Sequence, residues 1–249
     1  MRVLLFITGF RQVKEYDYFS TFLKRLNTLG DICDVFIYCN NPEISPDIVT
    51  YYKNFTQRNK HLYITSLNIG FGMGAVEAVS RGIEMGIFAG YDYVIHLHPD
   101  VFITAESAII ELLTANAAND CVFFVNTSEP DDRRFFSFDF FVFKPMLLQR
   151  NIFIDELHDY QDLPEHYLHD MLIKNGVKFK LVKRFENDRW SPRRIDEHLN
   201  LYHEHDLTLV EDLLKGFAEA DGPPPTEVVG WQPPVVELHP SPAIKRGPR

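Results

Sequence analysis

Apolar residues recur along this chain in two alternating rhythms. Residues 3–7, 34–39 and 61–66 are short apolar runs of strand length. Between the first two, Phe19, Phe22, Leu23, Leu26 and Leu29 repeat at helical spacing up to Gly30, and residues 46–55 form a second helical stretch. That alternation predicts a β-α-β-α-β half built on a largely parallel sheet. A third helix follows from Gly74, with Val76, Val79, Ile83 and Ile87 on one face and Gly90 as its stop. Tyr93 to Leu97 then reads as a buried strand, which Pro99 ends because it has no N–H for the ladder. Residues 104–117 read as a helix with Ala105, Ala108, Ile109, Leu112 and Leu113 inward, and 121–125 as another buried strand. The phenylalanines of RRFFSFDFFVFKP, residues 133–145, read as core. A helix is predicted from Asp162-Leu163-Pro164-Glu165 through Leu168, Met171 and Leu172 to Gly176, and another from Leu207 with Val210, Leu213, Leu214 and Phe217 inward. Residues 184–206 carry no helical period.

Composition narrows this to a single α/β domain over residues 1–220. With 249 residues, 45% of them hydrophobic and 14% aromatic, the chain can bury a full core. Residues 221–249 hold eight of its fifteen prolines and no amphipathic pattern, which predicts an extended, disordered tail. A formal charge of -10 argues against a nucleic-acid or anionic-membrane surface, since phosphates reward clustered Lys and Arg. Cys33, Cys39 and Cys121 have neither metal-finger spacing nor an even count, so reduced thiols and a cytoplasmic setting are expected. The opening MRVLLFITGF is too short to span a bilayer, and no transmembrane segment is expected elsewhere.

The chemistry gathers at the carboxyl ends of the predicted strands, the edge where open α/β sheets bind ligands. Thr8, Gly9 and Arg11 follow the first strand. Asn68, Gly70 and Gly72 form a glycine-rich turn ahead of the third helix, where backbone can approach a phosphate. His98-Pro99-Asp100 follows the Tyr93 to Leu97 strand; the bland reading is a bonded strand-end histidine and a turn aspartate, and the functional one is a metal site. Asp139, a carboxylate among phenylalanines, is costly unless bonded or facing a pocket. Asp162 and Glu165 match a capping box. Arg189, Arg193 and Arg194 suit diphosphate oxygens and Trp190 suits stacking, against the alternative of a surface salt-bridge loop.

From Asn68 to Ile103 the order of glycine turn, helix with Arg81-Gly82-Ile83, and YDYVIHLHPDVFI resembles the nucleotide-sugar half of GT-A fold glycosyltransferases, most closely the large inverting family that includes bacterial rhamnosyltransferases. The resemblance implies a nucleoside diphosphate sugar as donor, a glycan or other hydroxyl acceptor, and a divalent metal, Mn2+ or Mg2+, on an Asp-x-Asp motif that here reads His98-Pro99-Asp100. Imidazole is a softer ligand than carboxylate and suits manganese or zinc better than magnesium. Three alternatives stay open: His98 and Asp100 both ligate, Asp100 ligates alone, or the site uses no metal. The resemblance also implies that Arg81 serves the donor, that Asp139 borders the acceptor, that Glu165 stands where the base is placed, usually as Glu-Asp but here Glu-His, and that a late histidine, His203 ahead of His205, completes the metal site. A nucleotidyltransferase acting on a sugar phosphate and a non-catalytic sugar-nucleotide or glycan-binding domain are the alternatives.

Overall fold

A computed structural model of the chain describes residues 1–9, 13–26, 29–40, 45–55, 57, 59–65, 73–103, 106–115, 117–125, 136–146, 164–183, 193–196, 201–203 and 206–221. Arg11, Asn68, Gly70, Gly72, Asp162, Arg189, Trp190, His205 and the stretch 222–249 lie outside them.

The three expected strands of the first half are β1 (Val3–Gly9), β2 (Cys33–Cys39) and β3 (Lys60–Ile64), and β4 (Tyr93–Leu97) joins them. All four run parallel in the order β3-β2-β1-β4. The sheet continues through β7 (Phe136–Phe143), β6 (Cys121–Val125) and β8 (Phe179–Lys183) to seven strands. Only β7 runs against the rest: it is antiparallel to both β4 and β6, while β8 is parallel to β6.

Alternate residues of each strand feed two cores, one on each face. Leu5, Ile7, Ile95 and Val142 pack against α1 (Val13–Arg25), α3 (Ser45–Asn54), α5 (Glu106–Ala115) and α7 (Leu207–Asp221). Leu4, Phe6, Val94, Phe141 and Phe143 pack against α4 (Met73–Glu84) and α6 (Pro164–Lys174). Both faces of the sheet are covered, which is why its strands read as near-continuous apolar runs. Among the described residues, no helix is long and apolar enough to cross a membrane.

Several boundaries differ from the sequence reading. The first helix ends at Arg25, and Gly30 belongs to a separate short turn of helix, α2 (Leu29–Ile32). Helix α4 ends at Glu84 rather than at Gly90; Gly86, at φ 69°, already leaves the right-handed region, and Gly90, at φ 84°, only completes the loop. The residues after Asp100, 101 to 103, have no element in the sequence reading. They form β5 (Val101–Ile103), which pairs with β10 (Leu201–His203), itself paired to β9 (Arg193–Asp196), in a second, three-stranded sheet. Residues 184–206, read as patternless, thus contain two short strands.

Candidate active site

In the order β3-β2-β1-β4 the connections change direction between β1 and β4, and at the carboxyl edge of such a switch point open α/β sheets bind ligands. Gly9 closes β1 there. His98, Pro99 and Asp100 leave β4 through a turn in which the Val101 amide donates to the His98 carbonyl at 3.1 Å, with proline at the position whose fixed φ suits it. Gly9 is needed for its missing side chain. A Cβ on it would lie 3.1 Å from Cδ of Pro99 and 3.1 Å from the Tyr16 hydroxyl.

The reversed direction of β7 brings the start of that strand to the edge where its neighbours end. Leu97 pairs with Phe140, and one step further the His98 amide donates to the Asp139 carbonyl at 2.9 Å. The side chains follow: His98 Nδ1 and Asp139 Oδ1 are 3.3 Å apart, and both groups are about a quarter exposed, at 23% and 26%. Asp139 in turn acts on Glu165, in the first turn of α6. Burial raises the Glu165 carboxyl above its usual range and the charge on Asp139 adds to this, while a bond to its own backbone amide and the charge on His166 oppose it. Asp100, two residues after His98 in the same turn, has 1% of its surface exposed. The backbone of His203, in the second sheet, pairs with that of Val101, the residue after Asp100.

Two further candidates are placed differently. Thr8 is at this edge but only 3% exposed, and its hydroxyl is turned onto Nε2 of His96 at 2.7 Å, tying β1 to β4. Arg81 lies on α4 seven residues beyond Gly74, about 10 Å along the helix at 1.5 Å per residue. There its guanidinium meets Glu77 at 3.0 Å and Glu84 at 2.6 Å on the same helix. The glycine turn itself lies outside the described residues. Its flanks do reach the edge: the Thr65 amide donates to the Cys39 carbonyl, and a Cβ on Gly74 would come within 2.9 Å of Asn40 Nδ2.

His96 and Tyr16 were not singled out by the sequence reading. His96, wholly buried, stacks on Phe141 with centroids 4.4 Å apart and meets the His98 ring edge-on at 5.5 Å. A histidine inside an apolar strand needs a partner, and that requirement was the available signal.

Among the described residues, no three His, Cys, Asp or Glu side chains converge as a metal site. Asp100 and His98 offer an oxygen and a nitrogen donor. An imidazole with a carboxylate suits a manganese-type ion better than magnesium, with substrate phosphates completing its coordination.

No known family matches the chain, and no curated protein does either. Solved structures do. 4-Diphosphocytidyl-2C-methyl-D-erythritol synthase from Anaerococcus prevotii superposes with a TM-score of 0.54 at 10% identity, covering 86% of this chain and 98% of that one. The shared fold is α/β and Rossmann-like, with a mostly parallel sheet flanked by helices. CMP:2-keto-3-deoxy-manno-octonic acid synthetase, solved with CTP, superposes with a TM-score of 0.50 at 9% identity over 88% of this chain and 100% of its own. At such identities the likeness is one of architecture, and it agrees with the GT-A-like α/β fold that the sequence implied without singling out the inverting family.

Proposed function

We propose that the chain is a transferase that takes a nucleoside diphosphate sugar and passes the sugar to a hydroxyl acceptor. The observation that carries this reading is the pair Asp139 and Glu165 beside His98 at the end of β4, with the Glu165 carboxyl raised by burial. A hydroxyl must lose a proton as it attacks, and a carboxylate with raised proton affinity takes it more readily than an ordinary one. A sugar phosphate attacking a nucleoside triphosphate arrives already ionised and needs no such base. Asp139 is engaged with His98, so Glu165 is the base in this reading. The acceptor O–H proton passes to its carboxylate, the new bond forms at the anomeric carbon, and the bond to the diphosphate breaks on the opposite side, inverting that centre. Asp100 and His98 would hold a divalent ion arriving with the donor, which would offset charge on the departing diphosphate.

Nucleotidyl transfer is the second reading, favoured by the two structural neighbours, a synthase named for a diphosphocytidyl product and a CMP-sugar synthetase seen with CTP. Ligand binding to the native state raises apparent stability, so a thermal-shift panel of nucleotides and their sugars, with and without manganese, identifies the donor. Asp100→Asn is expected to abolish the manganese-dependent part of the shift. Turnover with that donor then separates the reactions. Free nucleoside diphosphate as product supports glycosyl transfer, pyrophosphate supports nucleotidyl transfer, and binding without product leaves a sugar-nucleotide-binding domain.

A further inference from the structure

One side chain away from the reacting groups holds the end of β1 from beneath. Tyr16, fully buried on α1, donates its hydroxyl to the Gly9 carbonyl at 2.9 Å. The same hydroxyl and the Pro99 ring leave no spare room around Gly9, since a Cβ there would meet each at 3.1 Å. On its other side Gly9 pairs with Cys39, the last residue of β2. Burial above all holds the Tyr16 phenol well above its usual range; the charges of Cys39, Glu15 and Asp100 and a side-chain bond with Cys39 push the same way. A single O–H therefore sits where the ends of β1, β2 and β4 meet.

We propose that Tyr16 is a positioning residue: its hydroxyl fixes Gly9 against Pro99 and so sets where Asp100 stands relative to the carboxyl end of β1. The consequence for ligand binding rests on reading this edge as the nucleotide site; the consequence for the turn itself does not. Tyr16→Phe keeps the ring in the core and removes only the hydroxyl. In the unliganded variant, amide hydrogen exchange across residues 97–103 is expected to quicken about tenfold, the scale of one net hydrogen bond, with the centre of β2 unchanged. The Kd for a nucleoside diphosphate in the presence of manganese is expected to rise by about the same factor. Tyr18→Phe, on the same helix, loses its bond to Glu211 and is the control in which neither quantity moves.

Unchanged exchange at 97–103 in Tyr16→Phe overturns the proposal whatever binding does. Exchange quickened equally in every strand also overturns it, because the hydroxyl would then serve stability in general. Local quickening in a protein whose wild type binds no nucleotide upholds the positioning role and removes the nucleotide-site reading instead.

Discussion

Glu165 holds its charge against its surroundings, and this has a sign that can be measured. Its folded proton affinity is raised above the ordinary 4.5 by burial and then by Asp139. Between those two values the native state binds more protons than the unfolded chain, so stability falls as pH rises through that window and the penalty is complete above it. Glu165→Gln removes the penalty. The variant is expected to gain on the wild type in urea denaturation as pH is raised from 4.5 to 7, and to lose the rising limb of kcat/KM with pH that ionisation of a base produces. Retention of that limb in the variant would move the base to another residue. Asp100 differs, being buried at the end of β4 beside Pro99, so Asp100→Asn tests ligand binding at almost unchanged shape.

Helices and strands obey simpler rules, and α4 shows how packing overrides them. Gly82 sits inside this helix, where alanine would ordinarily be better by about 1 kcal/mol. Yet a Cβ there would come within 2.3 Å of Cζ of Phe88, a ring buried edge-on between Phe6 and Phe143. Gly82→Ala is therefore expected to destabilise by roughly 1–3 kcal/mol in chemical denaturation, and a stabilised variant would mean that Phe88 finds another rotamer without cost. Elements with a continuous apolar run or a helical period were legible from sequence: β1, β2, β4 and β6 stand where the apolar runs put them, and α4 begins where its period does though it ends sooner. β5 and β10 were not, because three residues hold no period, and the partner of Val101 is His203, about a hundred residues along the chain. The site was legible in part for the same reason. Asp100 stood out as the residue just past a strand end and Asp139 as a carboxylate among phenylalanines, but the meeting of Asp139 with His98 depends on β7 running antiparallel between β4 and β6, a pairing that no local pattern encodes. Tyr16 was passed over because an aromatic on a helix reads as core, and its ring is core; only its hydroxyl departs from that reading.

The molecule as a whole is closed by its last described helix. α7 returns from β10, buries Val210 against the face that α1 covers, and offers Glu211 to Lys14 and Tyr18, each at 2.6 Å. Exposed ion pairs contribute little, so the apolar contact is the larger anchor. Val210→Ser is expected to cost roughly 2 kcal/mol from lost apolar burial and a buried hydroxyl, read from the midpoint of urea unfolding. An unchanged midpoint would show that α7 is not part of the cooperative unit.

In the large sheet β1 to β4 and β6 to β8 meet along one seam, the four antiparallel pairs between Val94–Leu97 of β4 and Phe143–Phe140 of β7. Backbone ladders tolerate many side-chain identities, so gene fragments can recombine across such a seam while the ladder re-forms. If the proposed roles hold, a chimaera carrying residues 104–183 of a homologue should keep this protein's nucleotide preference and adopt the homologue's acceptor. A chimaera that changed both together would refute that separation. In a lineage of such proteins, new acceptors would then arise by exchanging one contiguous stretch of gene, with the donor chemistry inherited intact.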